Sequence, residues 1–81
     1  MIKHILELDN LLKKYIGGEI NGTELSNFTL EVIAQDKFEE IDNSVQDAIY
    51  ALDNKELNNL SDDEILSIKV ILENYINSSL K

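Results

Sequence analysis

Apolar residues recur at spacings of three and four along four separate stretches of the chain, and this periodicity restricts the fold more than any other feature. One face of an α-helix repeats at this interval, whereas a half-buried strand repeats every second residue. The sequence contains no alternating pattern long enough to predict a strand. The first stretch, with Ile5, Leu8, Leu12 and Tyr15, predicts a helix over residues 2–16.

Residues with special backbone preferences mark the ends of the first two helices. The chain lacks proline, and its three glycines fall at positions 17, 18 and 22, so the clearest break separates helix one from helix two. Gly17 or Gly18 suits the left-handed residue that commonly ends a helix. Helix two then begins with Asn21 or Thr23 as its N-cap and ends near Asp36.

The second half of the chain predicts two more helices. Helix three has the most regular spacing, and its buried residues are expected to be Phe38, Ile41, Val45, Ala48, Ile49 and Leu52. Residues 53–60 predict a polar connection with room for one helical turn, because Asn and Asp favour turns. Ser61 and Glu64 have the spacing of a capping box and predict a fourth helix that reaches about Ser79.

These elements predict an all-α protein, specifically an antiparallel four-helix bundle formed by a single domain over residues 1–81. Helix two is expected to bury Leu25, Phe28, Leu30, Val32 and Ile33, and helix four Ile65, Ile68, Leu72, Tyr75 and Ile76. A domain of 81 residues buries only about 60 to 65% of its unfolded surface, so a large substrate cavity would be hard to support.

The charge of the chain indicates the kind of partner it binds. Sixteen acidic residues oppose seven lysines and no arginine, which gives a formal net charge of −9. Nucleic-acid binding depends on cationic groups that displace counterions and on the guanidinium fork for base and phosphate recognition, so nucleic acid is not an expected partner. A strongly acidic surface favours a basic protein instead.

The sequence predicts no cofactor, no metal site and no membrane association. Cysteine is absent, which excludes disulfides and thiolate ligands and is compatible with the reducing cytoplasm, the expected location. No apolar run approaches the roughly 20 residues that span a bilayer. The N-terminus leads directly into a helical pattern, and no export signal is visible.

Motifs for catalysis or for a bound group are weak, so we expect that the protein is not an enzyme. The one histidine, His4, has no base partner implied by the sequence. Asp53 and Glu64 have the spacing of the first and last ligands of an EF-hand loop, but the positions between them lack the required oxygen ligands and glycine. An acyl carrier serine is disfavoured because Ser44 is expected inside helix three rather than at its start.

Four segments of the chain resemble a known family. Tyr15–Ile20 matches the glycine-containing turn after the family's first helix, and Thr23–Ser26 matches the acidic start of its second helix. Ala48–Asp53 matches the end of the third helix, and Ser61–Ile65 matches the acidic start of the fourth. In these features the chain resembles the colicin D immunity proteins and related self-protective bacteriocin immunity proteins. The resemblance implies a four-helix protein that occludes the cationic active site of a toxin nuclease, with a transfer-RNA nuclease as the expected toxin.

The sequence therefore favours an immunity protein that neutralises a basic toxin nuclease, as monomer or dimer when free. The alternative is a small acidic helical interaction or assembly module with no toxin partner, in which an apolar stripe not buried by the bundle forms a homodimer or docks a partner helix. The acids around the connection between helices three and four form the predicted partner-binding surface: Asp47, Asp53, Glu56, Asp62 and Asp63. For single acids near the start of helix four, stabilisation of the helix dipole is the competing explanation. The turn from Glu19 to Glu24 is the alternative candidate for the partner-binding surface.

Overall fold

The computed structural model describes residues 2–53 and 59–79, which contain no strand. The helices in this part of the chain are α1 (Ile2–Ile16), α2 (Gly22–Ile33), α3 (Asn43–Tyr50) and α4 (Asp62–Ser79), with a 3₁₀ turn at Phe38–Glu40 before α3. The predicted all-α, four-helix fold is confirmed. Glu56 and the rest of segment 54–58, where the sequence allowed one helical turn, lie outside the described residues.

The end of α1 is fixed by a glycine in the left-handed conformation. Gly18 has φ 78°, while Gly17 does not have a positive φ. The amide of Gly18 donates to the Tyr15 carbonyl at 3.1 Å, and the amide of Glu19 donates to the Lys14 carbonyl at 2.8 Å. These two bonds form a Schellman motif, so Gly18 is the C-cap glycine of the two candidates.

Helix α2 has the predicted start but ends earlier than predicted. Asn21 is the N-cap, because its side-chain oxygen accepts from the Glu24 amide at 2.9 Å. The last helical residue is Ile33, three positions before the predicted end near Asp36. The amide of Gln35 donates to the carbonyl of Val32 in a tight terminal turn, which stops the helix before that position.

The prediction of one continuous helix from Phe38 is wrong. After the 3₁₀ turn, Ile41 and Asp42 have extended backbones with ψ near 165° and 140°, and α3 begins only at Asn43. The Gln46 side chain donates to the carbonyl of Glu39 at 3.1 Å and to that of Ile41 at 2.7 Å, which satisfies acceptors that the break leaves open. Ser44 consequently lies in the first turn of α3, not inside a longer helix as predicted.

The predicted capping box opens α4. The Ser61 hydroxyl accepts from the Glu64 amide at 3.2 Å, and the Ser61 amide donates to the Glu64 carboxylate at 3.5 Å. The helix then continues to Ser79, as predicted. The first turn of α4 therefore has a fixed backbone on which Asp62 and Asp63 are displayed.

The buried apolar side chains form one cluster to which all four helices contribute: Ile5, Leu8, Leu12, Leu25, Val32, Phe38, Ile41, Val45, Ala48, Ile49, Leu52, Ile65, Ile68, Leu72 and Ile76. The predicted helix-three face is confirmed despite the break. Leu30 is 49% exposed, which corrects its assignment to the core, and Phe28, Ile33 and Tyr75 are only half-buried. The α2 face is completed by two polar residues that the sequence did not predict, Ser26 and Thr29, both almost fully buried.

Candidate partner-binding surface

The packing of the helices brings four chain segments to one end of the bundle. Tyr15 and Ile16 of α1 lie beside Ile65 of α4, whereas Leu6 lies beside Ile76, so α1 and α4 are antiparallel. The start of α3 lies beside the C-terminal half of α4. Since the Ser26 hydroxyl donates to the Leu52 carbonyl at 3.4 Å, the start of α2 lies near the end of α3.

This arrangement gathers acids that are far apart in the sequence. We define the Asp62 end of the bundle by its acidic residues: Glu19, Glu24, Asp53, Asp62, Asp63 and Glu64. Of the predicted surface, Asp53, Asp62 and Asp63 lie at this end, Asp47 is exposed about one turn before the end of α3, and Glu56 is outside the described residues. The Glu19–Glu24 turn, which the sequence did not connect with the predicted surface, lies at the same end.

The acids of the Asp62 end differ in how they are held. Asp62 and Asp63 are exposed, and within residues 2–53 and 59–79 their carboxylates make no hydrogen bond or ion pair. Glu64 is engaged in the capping box, and Asp53 is half-buried and engaged in the fold. Glu19 and Glu24 are also exposed, and their carboxylates make no hydrogen bond or ion pair with the described residues. Together with Asp62 and Asp63, they are the acids of this end that can bind a cationic partner without first breaking a side-chain interaction.

A groove with apolar walls opens at the Asp62 end. It lies between the end of α1, the following turn and the start of α4, has a volume of about 540 Å³, and is lined by Tyr15, Ile16, Gly18, Ile20, Asp62, Ile65 and Leu66. Ile16 is 44% exposed and Leu66 is 48% exposed. Leu66 falls outside the predicted α4 stripe, and with Val70 one turn later it was the sequence signal for this second apolar surface.

A charged network lies further along the interface between α1 and α4. Its sequence signal was the four-residue spacing of Asp9 with Lys13 and of Lys69 with Glu73, but that spacing does not show that the two pairs face each other across the interface. Asp9 is 4% exposed, and its carboxylate lies 3.2 Å from the Lys13 ammonium, which in turn lies 3.9 Å from Glu73. Glu73 also pairs with Lys69. The hydrogen bond between them lowers the pKa of Glu73 and raises the pKa of Lys69, so both remain charged at neutral pH.

The opposite end of the bundle is also acidic, and we call it the Asp36 end. Its acidic residues are Asp36, Glu39, Glu40 and Asp42. They come from one stretch of seven positions that also contains Lys37, and the groove described above lies at the other end. A smaller groove of about 250 Å³, lined in part by Asp42, Val45 and Tyr75, also opens at this end, but its apolar residues are buried or half-buried. The two ends therefore differ not in acidity but in the larger groove and in the nearly half-exposed Ile16 and Leu66 that line it.

Candidate catalytic and metal-binding residues do not converge in the described part of the chain. His4 is half-buried, and its Nδ1 has no hydrogen-bond partner there. Across residues 2–53 and 59–79, no three side chains among His, Asp and Glu are grouped so that they could hold a metal ion. The interior of the Asp53–Glu64 loop falls mostly outside these ranges, so its EF-hand-like spacing stays a sequence observation.

Comparisons with known proteins find no match to a protein family, a curated protein or a solved structure. Among the described helices, none has both the length and the apolar character needed to cross a membrane.

Proposed function

We propose that this chain is an immunity protein that binds a basic toxin nuclease of the transfer-RNA-cleaving class and blocks its active site with the Asp62 end. The observation that carries the proposal is the pair of exposed carboxylates of Asp62 and Asp63, which make no ion pair with the described residues, at an end where acids from four chain segments gather. The resemblance of the turn and helix-start segments to bacteriocin immunity proteins supports the same function.

The electrostatic logic follows from what a nuclease requires. A nuclease concentrates positive charge where it holds phosphates, and an acidic surface of matching size competes for that site. Complementary potentials raise the association rate and discriminate against other partners. Both effects depend on the charge of the inhibitor and require no cofactor or reaction. The formal net charge of −9 on this chain supplies that charge.

Stabilisation of α4 by its own first-turn acids is the competing explanation for Asp62 and Asp63. Carboxylates at a helix N-terminus contribute about 0.3 to 1 kcal/mol each through the helix dipole. The same effect accounts for Glu24, which lies in the first turn of α2, but not for Glu19, which lies in the turn after α1 and before the N-cap of α2. A partner surface accounts for the acids of all these segments together.

Growth protection tests the proposed function. We expect the gene beside that of this chain to encode a larger basic nuclease toxin whose expression stops growth, and co-expression of this chain to restore growth through a one-to-one complex. An inactive toxin variant that still binds is the control for toxicity during purification. A neighbouring product that is harmless, or one that kills cells equally in the presence of this chain, would contradict the proposal.

An assembly module is the second candidate, and the exposed aliphatic residues Ile16, Leu66 and Val70 favour it. Such residues would form part of a self-association surface in a homodimer. Sedimentation of the purified chain over a wide concentration range separates the candidates. The immunity function does not depend on self-association, so a chain that stays monomeric at all concentrations favours it. A dimer that forms through these three residues supports the assembly module.

A further inference from the structure

We infer that the groove at the Asp62 end receives an amphipathic helix of the partner, with an aliphatic side chain inserted between Ile16 and Leu66 and with lysine or arginine on its flanks. The inference deepens the proposed function, on which it rests, by naming the chemistry of the bound segment. The partner segment would then be recognised by an apolar contact in the groove as well as by its positive charge.

The apolar part of the inference comes from residues that the bundle leaves uncovered. Ile16 and Leu66 are each nearly half exposed although the neighbouring Tyr15 and Ile65 pack against the core. Val70 is 53% exposed and lies one helical turn after Leu66. Two apolar residues at this spacing on α4 match the spacing of side chains on one face of a bound helix.

Charge complementarity identifies the occupant. Asp62 lines the groove itself, Asp63 follows it on α4, and Glu19 belongs to the turn that closes the groove at the end of α1. The last turn of α1 contains two lysines. Lys13 already contacts Asp9 and Glu73, whereas Lys14 is exposed, makes no ion pair within residues 2–53 and 59–79, and offsets one of these negative charges. An apolar helix without positive charge would leave Asp62 and Asp63 uncompensated, and a second copy of this acidic chain would add repulsion.

Two peptides and one pair of variants test the inference. The probes are a short helical peptide with leucine on one face and lysine on the other, and a shorter oligolysine peptide of the same charge. The Leu66→Asn variant changes the groove, and Leu30→Asn is its matched control because Leu30 has the same exposure but lies on α2 outside the groove. Affinity is measured by titration, and amide shifts locate the contact.

The leucine-lysine peptide should bind more tightly than oligolysine and shift the amides of Tyr15–Ile20 and Asp62–Leu66. Leu66→Asn should weaken its binding about tenfold, as expected when a partly buried leucine contact is lost, while Leu30→Asn leaves it unchanged. Equal weakening by both variants, absence of saturable binding, or shifts confined to another surface would overturn the inference.

The two proposals fail in different ways. If oligolysine binds as tightly as the leucine-lysine peptide and the chain still protects cells from the toxin, the apolar anchor is wrong and the proposed function stands. If the leucine-lysine peptide binds the groove but no toxin is neutralised, the docking site is correct and the immunity function is wrong. Leu66-dependent dimerisation that excludes the peptide would contradict the inferred occupant.

Discussion

Gly18 is the residue on which the end of α1 and the floor of the groove depend. Its φ of 78° lies in the left-handed region, which costs an L-residue about 1 to 2 kcal/mol. We therefore expect Gly18→Ala to lower the free energy of unfolding by about that amount, measured by urea denaturation with an unchanged slope.

Gly17 is the matched control for that substitution. A Cβ at Gly17 would lie 3.5 Å from the Lys13 carbonyl oxygen, an ordinary contact, and the residue has no positive φ. Gly17→Ala should leave stability unchanged or raise it by up to about 1 kcal/mol. If Gly18→Ala is as stable as the wild type, the Schellman motif at the end of α1 is wrong.

Residues whose roles are decided locally were the most predictable. A capping box or a C-cap glycine depends on neighbours within a few positions, so Ser61, Glu64 and one of the two candidate glycines could be identified from the sequence. Asp9 and Ser26 could not, because an acid or a serine on a helix becomes buried only when a distant helix covers it. Asp9 lies against α4 and Ser26 against the end of α3.

The break before α3 depends on a side chain that replaces a backbone donor. The Ile41 carbonyl accepts from the Gln46 amide group at 2.7 Å. Gln46→Ala removes this donor and leaves a partly buried carbonyl unsatisfied, so we expect the free energy of unfolding to fall by about 1 to 2 kcal/mol. Thermal or urea denaturation of the variant measures the change.

Gln35→Ala provides the comparison for Gln46→Ala. Gln35 also donates to a backbone carbonyl, that of Glu31 at 3.0 Å, but this bond is exposed, so its loss should change stability by less than about 0.5 kcal/mol. In a continuous helix Gln46 would be solvated, and alanine would be neutral or slightly stabilising because of its higher helix propensity. A neutral or stabilising Gln46→Ala would therefore contradict the break.

Apolar periodicity predicted which side chains of this region are buried but not the backbone that carries them. Phe38, Ile41 and Val45 all face the core although an extended link separates the first from the last. Spacing alone cannot detect such a link, because a short break can preserve the inward direction. The signal was chemical: Asp42, Asn43 and Ser44 are residue types that favour helix starts and turns.

The molecule as a whole has two acidic ends, and only tertiary structure distinguishes them. The sequence grouped Asp53, Asp62 and Asp63 because they flank one connection, and it treated the Glu19–Glu24 turn as a separate possibility. The bundle places both groups at the Asp62 end. The apolar groove between them could not be predicted from one helix at a time, since its walls come from α1, the turn and α4.

The most direct test of partner binding through the Asp62 end is the association rate constant with the toxin nuclease domain, measured for two doubly neutralised variants. Asp62→Asn with Asp63→Asn removes two charges from the Asp62 end, and Asp36→Asn with Glu40→Gln removes two from the Asp36 end. We expect the first pair to slow association about three- to tenfold at low salt and to weaken its salt dependence, and the second pair to change little. Equal slowing by both pairs would mean that only net charge matters, and no slowing by the first pair would place the binding surface elsewhere.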